Sequence, residues 1–379
     1  MIENKFINIL NRLIFFIYVF LSIYETYISE IFGNITRVYL IIFCVFLLLN
    51  TRRTTLSVNQ LLMLLWLSLY YVSLLWTPNM QQASLYIGTI TAMSLSAILC
   101  ENCYFSRGLM NEVVSMYKWC SVSLAVLGVF FSEPINLNNS VRMVLTMGGV
   151  QPDPNNLVAL YAIGSGLTLF AIKKDSKHKI ANLIGLLLCI YCILISGSRS
   201  GILILGIQFL IWFFYVNRKA SLIIKTIGVA FFVLLIGYVM YSYVNIETIE
   251  RMLGLGDLEF TDGTGREDQW QMAIDKFKFS PIIGNGWGAY PAHNTFFTIL
   301  VDVGIVGLGL IVVYLIRLFL QILKFGDVGA LAIFISGFVQ SFLIDAQNKR
   351  FFWNIIILSV LIINSYAHST LNSKNTTEN

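Results

Sequence analysis

The chain is poor in charged residues. Only 12% of its 379 residues are Asp, Glu, Lys or Arg, and 57% are apolar, whereas an ordinary soluble domain has about 25% charged residues. A soluble protein with so few charged side chains could not cover its surface. This excludes a soluble enzyme, a disordered chain and a nucleic-acid-binding domain. The net charge is only +5, so the distribution of the cations is more informative than their sum.

Motifs for nucleotides and metals are also missing. The sequence has no Walker loop, no dinucleotide fingerprint, no HExxH motif and no cluster with metal-ligand spacing. Its six cysteines lie in or beside apolar runs, and neither of the two CxxC pairs has a second ligand pair. We interpret the cysteines as small apolar helix residues, and we predict neither a cofactor nor a metal.

The apolar residues fall in blocks of about 17–24, the length that crosses the hydrocarbon core of a bilayer. They predict an all-α, polytopic transmembrane bundle of about twelve spans, with residues 1–379 forming a single integral membrane domain. The first apolar run has no small-residue cleavage site, so we interpret it as a span. The long tenth span is expected to tilt or break at Gly304, Gly307 or Gly309. The predicted spans are 7–24, 33–50, 58–76, 83–100, 113–131, 155–172, 180–196, 200–217, 221–244, 294–323, 328–345 and 351–367.

Positive charge sets the expected orientation, because cytoplasmic loops carry an excess of Lys and Arg. One set of alternate loops is rich in these residues and includes the Lys cluster at 173–179, and the other set is poorer. The richer set should be cytoplasmic, which places both termini in the cytoplasm and agrees with an even number of spans.

On the outer side, residues 245–292 form the only long hydrophilic stretch, and we predict that it acts as a lid. Its middle, residues 266–279, has apolar residues three or four positions apart, which predicts a short amphipathic helix. These residues are Trp270, Ala273, Ile274 and Phe277. A second outer polar segment covers residues 132–154.

His293 is the only one of three histidines expected at the outer surface, where the long loop enters the tenth span. It is either an interfacial residue next to a helix start or a general base or acid, since His titrates near neutral pH. Asp302 follows nine residues later, about two and a half helical turns on, so the two residues face broadly the same side. A carboxylate inside an apolar helix is costly and usually functional or paired.

Arg199 lies in the tight break between the seventh and eighth spans, in Ser196-Gly-Ser198-Arg199-Ser200-Gly. A cation at this depth is costly unless it is paired or faces a wet cavity. The neighbouring N–H groups and hydroxyls, including that of Ser198, suit a phosphate group. The alternative is that Arg199 snorkels to lipid phosphates.

Arg142 and Arg266 lie in the two outer polar segments, where each alone could be a solvated charge. Together with Arg199 and His293 they describe a site for a diphosphate ester, because Arg offers a fixed fork of donors. Asp153, in Asp153-Pro-Asn155, could instead be a turn and helix N-cap. Asp345, Lys349 and Arg350 are interpreted as an interfacial charge cluster.

Several motifs occur in one order along residues 150–320. This order resembles the O-antigen ligase and polymerase superfamily of bacterial envelope proteins, and the Asp153-Pro-Asn155 element resembles one in its polymerase members. The chain departs from the pattern at Asp302, where many relatives have Glu, so the carboxylate has a shorter reach. The ordered motifs are Ile195-Ser-Gly-Ser-Arg199-Ser-Gly-Ile202, Thr264-Gly-Arg266 with Trp270, Pro281…Gly284-x-Gly286, and His293-Asn294-Thr295…Asp302-x-Gly304.

The resemblance implies a metal-independent, inverting glycosyltransferase at the outer face of the bacterial cytoplasmic (inner) membrane. Its substrates would be undecaprenyl-diphosphate-linked glycans, with membrane lipids and a chain-length regulator as further partners. Arg199 and Arg266 would hold the diphosphate with Arg142 as a third cation, and His293 would deprotonate or orient the acceptor hydroxyl. The expected substrate-binding residues are Arg142, Asp153, Asn155, Ser198, Asn294 and Asp302.

Three functions remain open at this point. Asp153-Pro-Asn155 and the nine-residue gap from His293 to Asp302 favour a polymerase of O-antigen or capsular repeat units. The alternative is a ligase that moves the finished glycan to lipid A-core in lipopolysaccharide, or to a protein. The third is a transporter of lipid-linked glycans, which is disfavoured because the polar residues cluster at the outer end and not at midplane.

Overall fold

The computed structural model of the chain is mostly helical. It describes residues 2–51, 55–137, 140–175, 177–217, 219, 221, 223, 226–230, 234, 237–238, 266–325 and 327–375. The chain forms two compact units. Unit 1 is Met1–Met116 with Arg266–Asn379, and unit 2 is Tyr117–Gly265.

Unit 1 is built from helices of both ends of the chain. Helix α6 (Arg107–Phe131) begins in unit 1 and continues into unit 2. The other helices described in unit 1 are α1 (Ile2–Ile23), α2 (Glu25–Phe32), α3 (Ile35–Leu49), α4 (Val58–Ser73), α5 (Met80–Cys100), α10 (Arg266–Phe279), α11 (Thr295–Phe325), α12 (Val328–Ser341) and α13 (Arg350–Asn375).

Unit 2 continues from α6 into a β-hairpin and then a group of helices. Strand β1 (Ser132–Leu137) pairs antiparallel with β2 (Ser140–Leu145), so that Ile135 is opposite Arg142. The helices that follow are α7 (Pro154–Lys174), α8 (Lys179–Ile195) and α9 (Arg199–Val216), and α7 packs against both α8 and α9.

Several helices begin where the sequence offers a capping side chain. At the start of α4, Ser57 Oγ accepts the N–H of Gln60 at 3.1 Å, and Gln60 Oε1 accepts the N–H of Ser57 at 2.9 Å. At the start of α12, Asp327 Oδ1 accepts the N–H of Ala330 at 2.8 Å. These bonds satisfy N–H groups that the first helical turn leaves unpaired.

Eleven of the twelve predicted spans coincide with helices, and the span predicted at 221–244 lies mostly outside the described residues. Among the described residues, seven helices are long and apolar enough to cross a membrane, or eight if the bent pair α2–α3 is one span. Helices α4, α8 and α12 are apolar but shorter. The structure therefore supports a multi-pass membrane protein, and the count of twelve is not confirmed.

The all-α prediction is wrong at one place, the hairpin β1–β2. This segment follows α6 and contains Pro134, which removes a helix hydrogen bond, and β-branched residues such as Ile135 and Val141. Such residues favour an extended backbone over a helix. The structure also adds the short helix α2, which meets α3 at an angle of 114° through Gly33, whose φ is 61°.

An aromatic core in unit 1 anchors the chain just before α11. The ring of Tyr70 lies 4.5 Å from that of Trp66 and 5.1 Å from that of Trp287. Trp287 precedes α11 in the sequence and is almost fully buried. The backbone N–H of Trp287 donates to Ser73 Oγ at 3.1 Å, and its backbone carbonyl accepts a hydrogen bond from the hydroxyl of Thr77 at 2.6 Å. The segment that leads into α11 is therefore fixed to the end of α4.

Candidate functional site

Helix α11 begins at Thr295, two residues after His293. Asn294 caps the helix, because its Oδ1 accepts the N–H groups of Phe296 at 2.9 Å and Phe297 at 3.1 Å. His293 is exposed and has a φ of 49°, and it is the only non-glycine residue with positive φ among the described residues. This left-handed backbone is unfavourable for a residue with a side chain and is found at functional sites when the surroundings hold it.

Asp302 is fully buried inside α11. Its Oδ1 accepts the N–H of Ala289 at 3.1 Å, and its backbone carbonyl accepts the N–H of Gly286 at 3.0 Å. In this structure the carboxylate therefore fixes the backbone that leads to His293. The sequence indicated a costly carboxylate that needs a partner, and the partner is this loop backbone.

Residues 281–289, here called the joint segment, fill a break in α11. The helix loses its regular backbone at Val303 and at Gly304, whose φ is 68° and ψ −169°. Immediately after the break, the N–H of Ile305 donates to the carbonyl of Pro281 at 2.9 Å. The joint segment thus accepts a hydrogen bond from a group that the break frees from the helix. The expected break in this helix is confirmed, and it falls at Gly304.

Two glycines allow this close approach. A Cβ on Gly304 would overlap the carbonyl of Ile282, and a Cβ on Gly284 would overlap the carbonyl of Asp302. Both glycines have positive φ, which side chains rarely adopt. The Pro281…Gly284-x-Gly286 and Asp302-x-Gly304 motifs are therefore the two halves of one joint.

Helix α10 confirms the amphipathic helix predicted for residues 266–279, whereas residues 245–265 of the predicted lid lie outside the described residues. Ala273 packs against Ala292 and Val301 in a buried cluster. The rings of Trp270 and Phe297 lie 5.8 Å apart. The predicted apolar face thus lies on the segment that carries His293 and on the start of α11. Arg266, the first residue of α10, is half-buried.

The turn between α12 and α13 differs from the interfacial charge cluster expected there. The Arg350 side chain is only 1% exposed, and its Nε lies 2.8 Å from Glu25 Oε1 at the start of α2. Burial raises the pKa of Asp345 to about 6, although Lys349 and a hydrogen bond from Thr298 oppose this rise. The sequence did not predict the Glu25–Arg350 pair, because the two residues lie at opposite ends of the chain.

In unit 2, Ser198 and Asn155 join the starts of two helices. Ser198 is buried, and its hydroxyl donates to Asn155 Oδ1 at 2.9 Å. It also lies 2.7 Å from the hydroxyl of Ser200. Arg199, the first residue of α9, is exposed. The Asp153-Pro-Asn155 element and the Ser-Arg-Ser turn are therefore parts of one polar end of unit 2.

Local packing explains why these residues meet. Asp153 Oδ1 accepts the N–H of Asn155 at 2.7 Å, which confirms the N-cap interpretation of Asp153 and places the start of α7. At the start of α9, a Cβ on Gly201 would overlap the side chain of Ile193 and crowd that of Val158. Gly201 therefore lets α8 and α9 approach each other and α7 closely.

Arg142 lies on β2 and differs from a solvated charge. Arg142 is only 8% exposed, and its Nε has no hydrogen-bond partner among the described residues. A buried guanidinium N–H without a partner costs free energy. This cost makes Arg142 a candidate for binding an anion.

Taken unit by unit, the structure groups the predicted residues into two sets. Unit 1 holds His293, Asn294 and Asp302 on α11 and the segment before it, with Arg266 at the start of α10. Unit 2 holds a second set, with its members at the starts of α7 and α9 and on β2. These are Arg142, Asp153, Asn155, Ser198 and Arg199.

Residues 184–312 match the sequence model of the O-antigen ligase family. The matched region spans from within α8 to within α11 and contains Arg199, Arg266 and His293. This part of the chain is therefore similar to the O-antigen ligase family, in agreement with the resemblance found in the sequence. The match covers less than half of the chain, and Arg142 and Asp153 lie before it. No curated protein matches the chain.

Proposed function

We propose that the chain polymerises oligosaccharide repeat units carried on undecaprenyl diphosphate, for an O-antigen or a capsular polysaccharide. The family match supports an enzyme of the ligase or polymerase type. The bond between Ser198 and Asn155 carries the choice of polymerase. It ties an element that resembles one of the polymerase members to the turn that contains Arg199.

The proposed reaction is an inverting glycosyl transfer without metal. A hydroxyl oxygen of the acceptor glycan attacks the anomeric carbon of the donor from the side opposite the diphosphate. The bond between this carbon and the diphosphate oxygen breaks, and its electron pair leaves with undecaprenyl diphosphate. The hydroxyl proton passes to the His293 imidazole, which is exposed and is of the side-chain type most often used as a general base.

The arginines stabilise the leaving group in this proposal. Negative charge develops on the diphosphate as the bond breaks, and fixed guanidinium donors directed at it lower the barrier. Arg199 and Arg266 bind the diphosphate, and the unpartnered Nε of Arg142 is a third donor. Asp302 acts indirectly, because its carboxylate holds the joint segment.

The reaction is proposed to take place at the outer face of the cytoplasmic membrane, with both termini of the chain in the cytoplasm. This orientation follows from the excess of Lys and Arg in one set of loops. The lipid tails of donor and acceptor remain in the bilayer while their head groups react, and α10 limits access of water to them.

A reconstitution experiment tests the polymerase assignment. Purified protein in liposomes is given a single lipid-diphosphate repeat unit, and the products are separated by length. We expect a ladder of lipid-linked oligomers together with released undecaprenyl diphosphate. Protein carrying His293→Ala is the matched control and should give no ladder.

The same experiment examines the alternative, a ligase, which is the activity named in the description of the matched family. Core lipid A is added in a parallel reaction. Transfer to this acceptor without any ladder would reject the polymerase and support a ligase.

A further inference from the structure

Thr295, two residues after His293, connects α11 to the turn between α12 and α13. Thr295 is fully buried. Its hydroxyl donates to the carbonyl of Ile344 at 2.9 Å and accepts the N–H of Ala346 at 2.8 Å. Its own N–H donates to the same carbonyl of Ile344 at 3.1 Å. The hydroxyl and the backbone N–H of Thr295 therefore connect two segments that are distant in the sequence.

Asn294 adds a further bond to the same turn. Its Nδ2 donates to the carbonyl of Phe342 at 2.8 Å, while its Oδ1 caps α11. The two residues that follow His293 are thus bound to residues 342–346, here called the anchor turn. Their backbone cannot shift unless these bonds to the anchor turn break.

The backbone before His293 is held as well. The N–H of Ala292 donates to the hydroxyl of Thr298 at 3.0 Å, and Asp302 holds Ala289. The imidazole of His293 itself makes no hydrogen bond to any residue that the structure describes. Its orientation is therefore determined by the backbone on either side.

We infer that Thr295 is a positioning residue for His293. A left-handed backbone is unfavourable at a non-glycine residue, so His293 would relax to a commoner conformation if its neighbours were released. The imidazole would then move away from the acceptor hydroxyl. This inference rests on the proposed function, in which His293 accepts the proton of that hydroxyl.

Thr295→Val tests the inference, because valine keeps the shape of threonine and removes the hydroxyl. We expect kcat for the lipid-linked repeat unit to fall by up to about 100-fold, the effect of a displacement of about 1 Å in a catalytic group. KM should stay within about twofold, since the variant leaves the groups that bind the diphosphate in place. Thr295→Ser, which keeps the hydroxyl, should restore most of kcat.

Thr168→Val is the matched control. Thr168 is also fully buried, and its hydroxyl donates to the carbonyl of Gly164 within α7 at 2.8 Å. This variant loses a buried hydroxyl without touching the anchor turn, so its kcat should equal that of the wild type.

If Thr295→Val does not fold, a second variant still tests the inference. Asn294→Asp loses the donor to Phe342 and keeps the capping oxygen, so it should also lower kcat. If both Thr295→Val and Asn294→Asp keep wild-type kcat while His293→Ala is inactive, the positioning role is wrong and the proposed function stands. If His293→Ala is itself active, the proposed function fails.

Discussion

Replacing His293 with alanine will abolish glycan transfer and leave the protein in the membrane. Removal of a general base typically costs a factor of about 100 to 10,000 in rate. The substitution also relieves an unfavourable backbone only slightly, because alanine has a Cβ as well. Since the His293 side chain is exposed, its loss leaves no cavity in the core. The turnover of a lipid-linked repeat unit in liposomes measures the effect.

His178→Ala is the control for this variant. His178 is also exposed, and its Nδ1 lies 3.0 Å from Asp175 Oδ2 in the turn before α8. Its loss should not change the turnover. In cells with His293→Ala, single lipid-linked units should accumulate on the outer leaflet. Normal polymer would remove His293 from the reaction, and a failure of the units to reach that leaflet would favour a transporter.

Replacing Arg199 with lysine will strongly impair polymerisation, although the charge is kept. Lysine is a point charge and cannot supply the fork of two parallel donors that matches a phosphate group. The loss of one donor to a developing oxyanion costs a factor of about 100 to 1,000 in rate. We expect a decrease of this size in kcat, and shorter products in cells.

Arg37→Lys is the matched control, because Arg37 is an exposed arginine near the start of another helix, α3. It should behave as the wild type. The Arg199→Lys protein should also reach the membrane in normal amounts, since Ser198 retains its bond to Asn155. Products of wild-type length from Arg199→Lys would exclude Arg199 from diphosphate binding.

The positions of most helices could be predicted from the sequence, because a membrane imposes long apolar runs with polar ends. The predicted span 83–100 corresponds to α5, and 180–196 corresponds to α8. The helix α10 was predictable from the spacing of Trp270, Ala273, Ile274 and Phe277. The hairpin β1–β2 was not, because it lies in a polar segment where hydropathy carries no information about the backbone.

Contacts between residues that are distant in the chain could not be predicted from the sequence. Gly304 indicated a possible break in α11, but nothing in the local pattern showed that the joint segment would fill it. The same holds for Arg350, whose partner Glu25 comes from the other end of the chain. A hydropathy pattern gives the depth of a residue in the membrane and not its neighbours, so Arg350 was expected at the interface.

The sequence predicted which residues belong to the candidate site. It did not predict how these residues are arranged or which of them are in contact. The motifs indicated Asn155 and Ser198 separately, and the structure shows that they share a hydrogen bond. Asp302 was expected to face broadly the same side as His293, and the structure gives it a fully buried position bound to Ala289. Thr295 stood within a motif, but its role depends on the anchor turn about 50 residues later.

The proposed function requires that Arg199, which binds the donor diphosphate, and His293, which accepts the proton of the acceptor hydroxyl, both lie on the outer side of the membrane. Single cysteines replace Arg199 or His293 in a background without the six native cysteines. Both positions are exposed, so a membrane-impermeant thiol reagent added to cells with an intact cytoplasmic membrane should label each position only if it lies on the outer side. Labelling of both Arg199→Cys and His293→Cys from outside is the predicted result. Labelling of only one of them, with the other reached only after the membrane is opened, would contradict the account.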